Sequence, residues 1–205
     1  MKNFFDFGIA IMVLVILSPL FIICALIIKI YDGGPVFYSA QRVGKNGHLF
    51  RMLKFRTMVV NADKLGASST TNHDVRITAP GKFMRKFKLD ELPQFINVMK
   101  GEMSIVGPRP QVEWAVKLYS DEEKKILQLK PGITDFASIR FRNEGKILLG
   151  SADPDKLYME LIHPEKMKLS LQYLKERSFL TDLKIIFLTF SSIFKNHNDD
   201  SEKIK

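Results

Sequence analysis

Apolar and charged residues are distributed most unevenly at the start of the chain. Residues 7–28 form a run without a charged side chain. As a helix rising about 1.5 Å per residue, this run is long enough to cross a hydrocarbon core of roughly 30 Å. Ser18 and Pro19 lie near its middle. Proline inside a helix removes a backbone hydrogen bond and costs about 3 kcal/mol, so the run predicts a helix that is kinked or broken at this pair.

Two membrane topologies fit this broken run. It can be a kinked transmembrane span, or a helix–break–helix that dips into the membrane and returns to the same face. Proline is common in membrane-spanning helices, so hydropathy alone favours the kinked span. Lys2 and Lys29 flank the run on either side and do not decide its orientation. The hydroxyl of Ser18 could satisfy a backbone group that the break leaves unpaired.

A β-hairpin is predicted next, from two short strand-like segments at 36–41 and 48–55. They flank Asn46 and Gly47, a strong tight-turn pair. The cations of the hairpin region are Arg42, Lys45, Arg51, Lys54 and Arg56. Either phosphate binding or a solvated basic hairpin near lipid headgroups explains them.

The rest of the chain reads as mostly helical. The predicted elements are a polar loop at 61–73, a short basic helix at 81–88, a helix at 91–100, a helix at 114–129, a turn at 130–134, a strand at 136–142, and a helix at 153–176 interrupted at His163 and Pro164. Residues 178–195 carry an apolar stripe at 3.6-residue spacing. That stripe predicts either a core-packing helix or a helix in the membrane interface. Residues 196–205 are predicted to be a polar tail.

Composition and charge narrow the class of partner. Of 205 residues, 31 are Lys or Arg and 22 are Asp or Glu, which gives a formal net charge of +9 and predicts an anionic partner. The apolar N-terminus favours a membrane surface, and no basic-aromatic module for nucleic acid is present. Cys24 is the only cysteine, so no disulfide forms within the chain. The four histidines are widely spaced and argue against a zinc site.

Two adjacent carboxylates, Asp90 and Glu91, lie between a basic run and an apolar run. On one interpretation Asp90 is the N-cap of the following helix, with Pro93 in the first turn and Gly101 just past the end. On the other, a carboxylate at a helix N-terminus stays ionised beside a phosphate site and can attack phosphorus. Arg109 lies between two prolines that stiffen the backbone around it. On one interpretation its side chain makes a bidentate contact with an anion, and on the other this segment is a rigid turn with a solvated Arg109.

Five segments carry a family resemblance. They are 54–58 (KFRTM), 89–94 (LDELPQ), 97–110 (NVMKGEMSIVGPRP), 131–134 (PGIT) and 178–184 (SFLTDLK). Each is weak alone, but in this order and spacing the chain resembles, nearly end to end, the small monotopic phosphoglycosyl transferases of the bacterial sugar transferase family.

The resemblance implies an activity and a location. Such enzymes transfer a phosphosugar from a UDP-sugar to a polyprenol phosphate such as undecaprenyl phosphate, release UMP, and start glycan assembly on the cytoplasmic face of the inner membrane. The implied partners are therefore the UDP-sugar, the polyprenol phosphate and membrane lipid, with no nucleic acid. A homodimer stays open.

The resemblance also assigns residues. It makes Asp90 the nucleophile that forms an aspartyl-phosphosugar intermediate, and Glu91 the ligand of an essential Mg²⁺. Lys54, Arg85, Arg109 and Arg142 match positions that line the phosphate site. Adjacent helical residues point about 100° apart, which suits separate roles for the two carboxylates. Mg²⁺ prefers one or two carboxylates plus phosphate oxygens.

The implied fold is α/β, mostly helical with a small β-hairpin or sheet. An N-terminal re-entrant membrane helix (1–30), broken at Ser18-Pro19, is fused to a compact catalytic domain (31–195) with amphipathic interfacial helices. The re-entrant topology comes from the resemblance and replaces the kinked span that hydropathy favours.

Two departures from the family pattern concern the sugar or nucleotide contacts. Residues 135–138 read Asp-Phe-Ala-Ser where many members have Gly-Trp-Ala-Gln, and Ser170 and Leu171 stand where an aspartate is common. A rival hypothesis is a membrane-anchored scaffold that uses its basic face on anionic lipid or nucleic acid. It explains the charge but gives no reason for Asp90 and Glu91, and magnesium-dependent UMP release separates the two.

Overall fold

A computed structural model describes residues 2–65, 71 and 74–194. The helices are α1 (Lys2–Ile16), α2 (Ser18–Asp32), α3 (Ala79–Lys86), α4 (Gln94–Met99), α5 (Glu113–Lys117), α6 (Phe136–Arg140), α7 (Glu144–Ile147), α8 (Pro154–Leu157), α9 (His163–Glu176) and α10 (Phe179–Phe194). The strands are β1 (Phe37–Val43), β2 (Leu49–Phe55), β3 (Ser104–Val106) and β4 (Gly132–Thr134). The chain is thus mostly helical with two small sheets, compatible with the predicted α/β class. The predicted loop at 61–73 lies partly, and the polar tail at 196–205 wholly, outside the described residues.

The N-terminal apolar run forms two helices with a bend between them, which confirms the predicted break. The axes of α1 and α2 differ by 62° across Leu17. Pro19 lies in the first turn of α2, where its missing N–H removes no helix hydrogen bond. The Ser18 hydroxyl donates to the carbonyl of Val15 at 2.8 Å. Within the described residues no single helix is long and apolar enough to cross a membrane, and α1 and α2 meet that test only as a bent pair.

Both helices of the bent pair bury one face against the rest of the chain. In α1, Ala10 belongs to the core cluster that includes Val98 and Ile105. In α2, Cys24 and Ile28 pack with Phe55 and Met84. Because each helix has one such contact face, its opposite face is left apolar and exposed.

The predicted hairpin is confirmed, and its first strand, β1, extends past the predicted end at residue 41 to Val43. β1 and β2 pair antiparallel in a register that places Phe37 opposite Phe55 and Val43 opposite Leu49. Asn97 of α4 ties this hairpin to the following helix, since its amide oxygen accepts from the N–H of Leu53 (2.9 Å) and its amide nitrogen donates to the carbonyl of Arg51 (2.8 Å). β2 therefore lies against the segment that carries Asp90.

The second sheet corrects two predictions. Residues 132–134, predicted as part of a turn, form β4 and pair parallel with β3. Residues 136–140, predicted as part of a strand, form α6, because the carboxylate of Asp135 accepts from the N–H of Ser138 at 2.7 Å and caps the helix. The β3–β4 approach is so close that a Cβ added at Gly132 would lie 2.1 Å from the amide nitrogen of Gly107.

The structure divides one predicted helix into two segments and confirms the interruption predicted in another. The helix predicted at 114–129 is divided into α5 and a 3₁₀ segment (Glu123–Gln128). Ser120 and Glu123 bond each other's backbone N–H as a capping box, which starts a new helical segment there. The interruption at His163-Pro164 is confirmed, since a π-helical turn (Tyr158–Ile162) ends there and α9 begins.

The C-terminal apolar stripe has two environments. Ile185 of α10 is fully buried in the main core, whereas Phe187 is 73 % exposed, and Phe179, Leu180 and Phe190 are exposed as well. One side of α10 thus packs on the core, and the other leaves a row of large apolar side chains uncovered.

Candidate active site

A tight turn carries the two adjacent carboxylates. Residues Leu89–Glu91 form a single 3₁₀ turn that follows Lys88, whose φ is 57°. The prediction that Asp90 caps a helix is wrong, because Asp90 makes no capping hydrogen bond and α4 begins only at Gln94. Pro93 lacks the N–H that would join the 3₁₀ turn to α4 as one helix. Asp90 therefore does not lie at the N-terminus of an α-helix.

Asp90 is a poorly solvated carboxylate. The residue is 5 % exposed, and within the described part of the chain its Oδ1 has no hydrogen-bond partner. Its Oδ2 lies 3.8 Å from the ammonium of Lys54. Burial raises the pKa of Asp90 above its ordinary value, although the positive charge of Lys54 opposes the shift.

Glu91 is held by two cations. Arg109 donates from Nη2 to Oε1 (2.5 Å) and from Nη1 to Oε2 (3.3 Å), and Lys54 donates to Oε1 (3.1 Å). Burial works to raise the pKa of Glu91, but the charges of Arg109 and Lys54 outweigh it and hold the pKa well below its usual range. The solvated alternative for Arg109 is therefore wrong in this structure.

The pKa values of the two neighbouring carboxyl groups are thus shifted in opposite directions. The pKa of Asp90 is raised and that of Glu91 is lowered. Paired titratable groups whose environments separate their pKa values are typical of sites where each group has its own task. Burial also lowers the pKa of Lys54, against the pull of the two carboxylates.

One cleft of about 980 Å³ brings together all six polar residues predicted for the site. Its lining includes Lys54, Arg85, Asp90, Glu91, Arg109 and Arg142. Arg85 is fixed by a hydrogen bond from its Nε to the hydroxyl of Thr57 at 2.8 Å. The cleft can therefore place several cations around an anionic group that approaches Asp90. Ser18 and Pro19 lie at the bend of the N-terminal helices, outside this lining.

Sequence reasoning missed a second charged group in the same cleft. Lys166 is only 5 % exposed and forms an ion pair with Glu144. Its ammonium lies 5.0 Å from the ring centre of Tyr158 and 5.8 Å from that of Phe141. Helical periodicity could have indicated that Lys166 is buried, because it places Lys166 on the inward face of α9 together with Ser170 and Tyr173.

Arg56, grouped with the hairpin cations, has a structural contact instead. It is buried, and its guanidinium forms a two-point ion pair with Asp32 at 2.5 and 2.6 Å while its Nε donates to the carbonyl of Pro35. Asp32 is the last residue of α2, so this pair fixes the end of the bent helix pair to the hairpin.

The fold and cleft define a small, mostly helical protein with a carboxylate pair among cations and apolar helices at one end. The sequence profile of the family described as bacterial sugar transferase matches residues 1–196. The chain therefore belongs to the bacterial sugar transferase family.

Three relatives illustrate the range of similar proteins. The exopolysaccharide production protein ExoY of Sinorhizobium fredii is 35% identical over 207 residues, covering 94% of this chain and 84% of the relative. The undecaprenyl-phosphate galactose phosphotransferase of Salmonella typhimurium is 42% identical over 160 residues (70% of this chain, 33% of the relative). The UDP-glucose:undecaprenyl-phosphate glucose-1-phosphate transferase of Escherichia coli is 34% identical over 204 residues (96% and 40%). The chain thus spans most of the first relative and well under half of the other two.

Proposed function

We propose that this protein transfers a sugar phosphate from a UDP-sugar to undecaprenyl phosphate, or a similar polyprenol phosphate, and releases UMP. The observation that carries the proposal is a buried carboxylate, Asp90, facing Lys54 in a cleft lined by further cations. The names of the Salmonella and Escherichia relatives, which specify transfer to undecaprenyl phosphate, support the same chemistry. The reaction would begin the assembly of a bacterial polysaccharide or other glycoconjugate.

The proposed reaction has two displacements at one phosphorus. In the first, an oxygen of Asp90 attacks the sugar-bearing β-phosphorus, the bond from that phosphorus to the oxygen of the α-phosphate breaks, and UMP leaves with the bonding electrons. In the second, an oxygen of the polyprenol phosphate attacks the same phosphorus, and the Asp90–phosphorus bond breaks to restore the carboxylate. A poorly solvated carboxylate is a suitable nucleophile because little hydration must be removed before it attacks.

The cations give the attack its electrostatic support. The carboxylate and the diphosphate are both anionic and repel each other, and fixed positive groups offset that repulsion as charge redistributes in the transition state. Lys54 is already 3.8 Å from Asp90. Arg85, Arg109 and Arg142 line the same cleft and would contact the phosphate oxygens.

A magnesium ion fits the residues present. Mg²⁺ usually binds through one or two carboxylates together with substrate phosphates, and the cleft offers the adjacent carboxylates of Asp90 and Glu91, with Oδ1 of Asp90 buried and without a hydrogen-bond partner among the described residues. Glu91, whose low pKa keeps it ionised, would hold the ion in place of one of its contacts with Arg109 and Lys54. Bound there, Mg²⁺ would supply positive charge beside the diphosphate.

The re-entrant topology is supported by the two ends of the bent helix pair. Near the start of α1, the carboxylate of Asp6 accepts from the hydroxyl of Ser104 at 2.7 Å. At the end of α2, Asp32 pairs with Arg56. Ser104 and Arg56 both belong to the region 31–195, so both ends are fixed to one domain. A straight span would instead place its ends on opposite faces of the bilayer.

The same arrangement suggests how the cleft meets the membrane. With both ends on the cytoplasmic side of the inner membrane, the exposed apolar row of α10 would lie at headgroup level. A charged tag placed ahead of Lys2 should then be inaccessible to protease in intact cells. Cleavage of that tag from outside would overturn the re-entrant topology.

The enzymatic proposal is tested by the substitution Asp90→Asn. The variant should release no UMP from a UDP-sugar. It should also form no covalent adduct when the UDP-sugar is labelled at its β-phosphate. Asp121→Asn is the matched control, since Asp121 is exposed and its carboxylate pairs with the exposed Lys124. Removal of Mg²⁺ with a chelator should stop UMP release, and its return should restore it. Turnover by Asp90→Asn at the rate of the control would refute the mechanism.

A further inference from the structure

Part of the cleft has no task in the reaction described above. Glu144, Tyr158 and Lys166 line it together, from α7, the π-helical turn and α9. Lys166 is almost wholly buried, whereas the side chain of Glu144 is 40 % exposed. Because both side chains line the cleft, a ligand there can bind the open carboxylate of Glu144 and reach the ammonium of Lys166 that is paired with it.

We propose that Lys166 and Glu144 bind hydroxyl groups of the sugar in the nucleotide-sugar donor and thereby select which sugar is transferred. The proposal rests on the function proposed above and adds the residues that set its specificity.

The chemistry of the pair suits sugar hydroxyls. A carboxylate accepts hydrogen bonds from hydroxyl groups, and an ammonium donates to hydroxyl oxygens, so the two together discriminate the position and orientation of hydroxyls on a ring. The ammonium of Lys166 is held over the faces of Tyr158 and Phe141. These two contacts and the ion pair with Glu144 restrict the position of the ammonium, which such discrimination requires.

The chain connects this pair closely to the reacting centre. Arg109 contacts Glu91, and two residues later the amide of Gln111 donates to the hydroxyl of Tyr158 at 3.1 Å. Two residues of extended chain span at most about 7 Å. Arg109 and Glu144 are also close enough that each shifts the pKa of the other.

This position favours the sugar over the uridine. The sugar is bonded directly to the phosphate that Asp90 would attack, whereas the uridine is separated from it by the α-phosphate. Arg109, which holds Glu91, connects the reacting centre to this part of the cleft. The sugar, being bonded to the reacting phosphate, is therefore the part of the donor that we expect beside Lys166 and Glu144.

The experiment compares donors. UMP release is measured with UDP-glucose, UDP-galactose, UDP-N-acetylglucosamine and UDP-N-acetylgalactosamine at saturating undecaprenyl phosphate, using the wild type, Lys166→Met and Glu144→Gln. Lys168→Met is the control, because Lys168 is on the same helix and exposed. The wild type should prefer one donor. Both variants should lose about 10- to 150-fold in kcat/KM for it, the effect of one hydrogen bond to a charged group, and should lose less for the others.

A second measurement separates sugar from nucleotide. UMP lacks the sugar, so its inhibition constant should be the same in the variants and in the wild type. A weakened inhibition by UMP would assign the pair to the nucleotide and overturn the proposal. So would a wild type without donor preference, or an equal loss with every donor, which would indicate a structural role.

Two outcomes keep this test apart from that of the catalytic function. If the wild type releases no UMP from any donor, the proposed function fails and the inference fails with it. If the wild type is active and the donor preference is unchanged in the variants, only the inference fails. Should Lys166→Met not fold, Glu144→Gln carries the test alone, because that side chain is partly exposed and the change is isosteric.

Discussion

The contact between Arg109 and Glu91 provides the sharpest test of how the cleft is organised. Arg109→Lys keeps the positive charge but replaces a planar fork, which bonds both oxygens of Glu91, with a single ammonium. At least one of the two N–H···O contacts is lost. Because the hydrogen bonds from Arg109 help to lower the pKa of Glu91, the loss of one of them should raise that pKa even though the positive charge is kept.

The expected size of the effect follows from the contact that is lost. A hydrogen bond to a charged group contributes about 1.5–3 kcal/mol, and about 1.4 kcal/mol corresponds to a factor of ten. The kcat/KM for UMP release should therefore fall about 10- to 150-fold. The acid limb of its pH profile should move to higher pH, because Glu91 with a raised pKa loses its proton at a higher pH.

The assay is UMP release across a range of pH, together with thermal unfolding of each variant in detergent. Arg51→Lys is the control, since Arg51 lies on β2 with an exposed side chain that donates a 3.4 Å hydrogen bond to the hydroxyl of Ser39. Activity of Arg109→Lys within about threefold of the wild type, less than the loss of one charged hydrogen bond, would refute this account of the site. An unshifted pH profile would refute the account of Glu91.

Three other predictions concern the scaffold. Phe55→Ala should lower the free energy of unfolding by about 3–5 kcal/mol, because the ring is 1 % exposed, and a measured loss under about 1 kcal/mol would contradict that packing. Arg56 lowers the pKa of Asp32 from 3.8 to about 2, so their pairing stabilises the fold above pH 3.8 and the stabilisation is lost as the pH falls toward 2. Asp32→Asn should remove that part of the pH dependence of Tm, and identical melting profiles would count against it. Gly132→Ala should disrupt β3–β4, because its Cβ would lie 2.1 Å from the backbone of Gly107, and normal expression and Tm would show that the strands can separate.

Short-range features were predictable where one local cause decided them. Pro19 ends the first helix because it has no N–H to offer the carbonyl of Val15, and the hydroxyl of Ser18 bonds that carbonyl instead. Asn46 and Gly47 turn the hairpin because they tolerate positive φ. The ordered motifs around Asp90 indicated the family, and the match to residues 1–196 confirmed it.

Local patterns failed where two local rules competed. Residues 136–140 alternate as a strand would, but the side chain of Asp135 caps them as a helix, and the strand formed at Gly132–Thr134 instead. Asp90 has the composition of a helix cap, yet Leu89–Glu91 closes on itself as a 3₁₀ turn ahead of Pro93. In both places a neighbouring side chain or proline decided between conformations that the sequence pattern allows nearly equally.

By itself the sequence determined the apolar N-terminal run and its break, the hairpin, the basic charge and the family. The family resemblance also assigned Lys54, Asp90, Glu91 and Arg109 to one site. The structure alone decided that Lys54 and Arg109 both pair with Glu91, and that Lys166 lines the same cleft. The physical reason is distance along the chain. Helix breaks and turns depend on neighbouring residues, whereas burial, ion pairs and pKa shifts arise between residues that only the folded chain brings together.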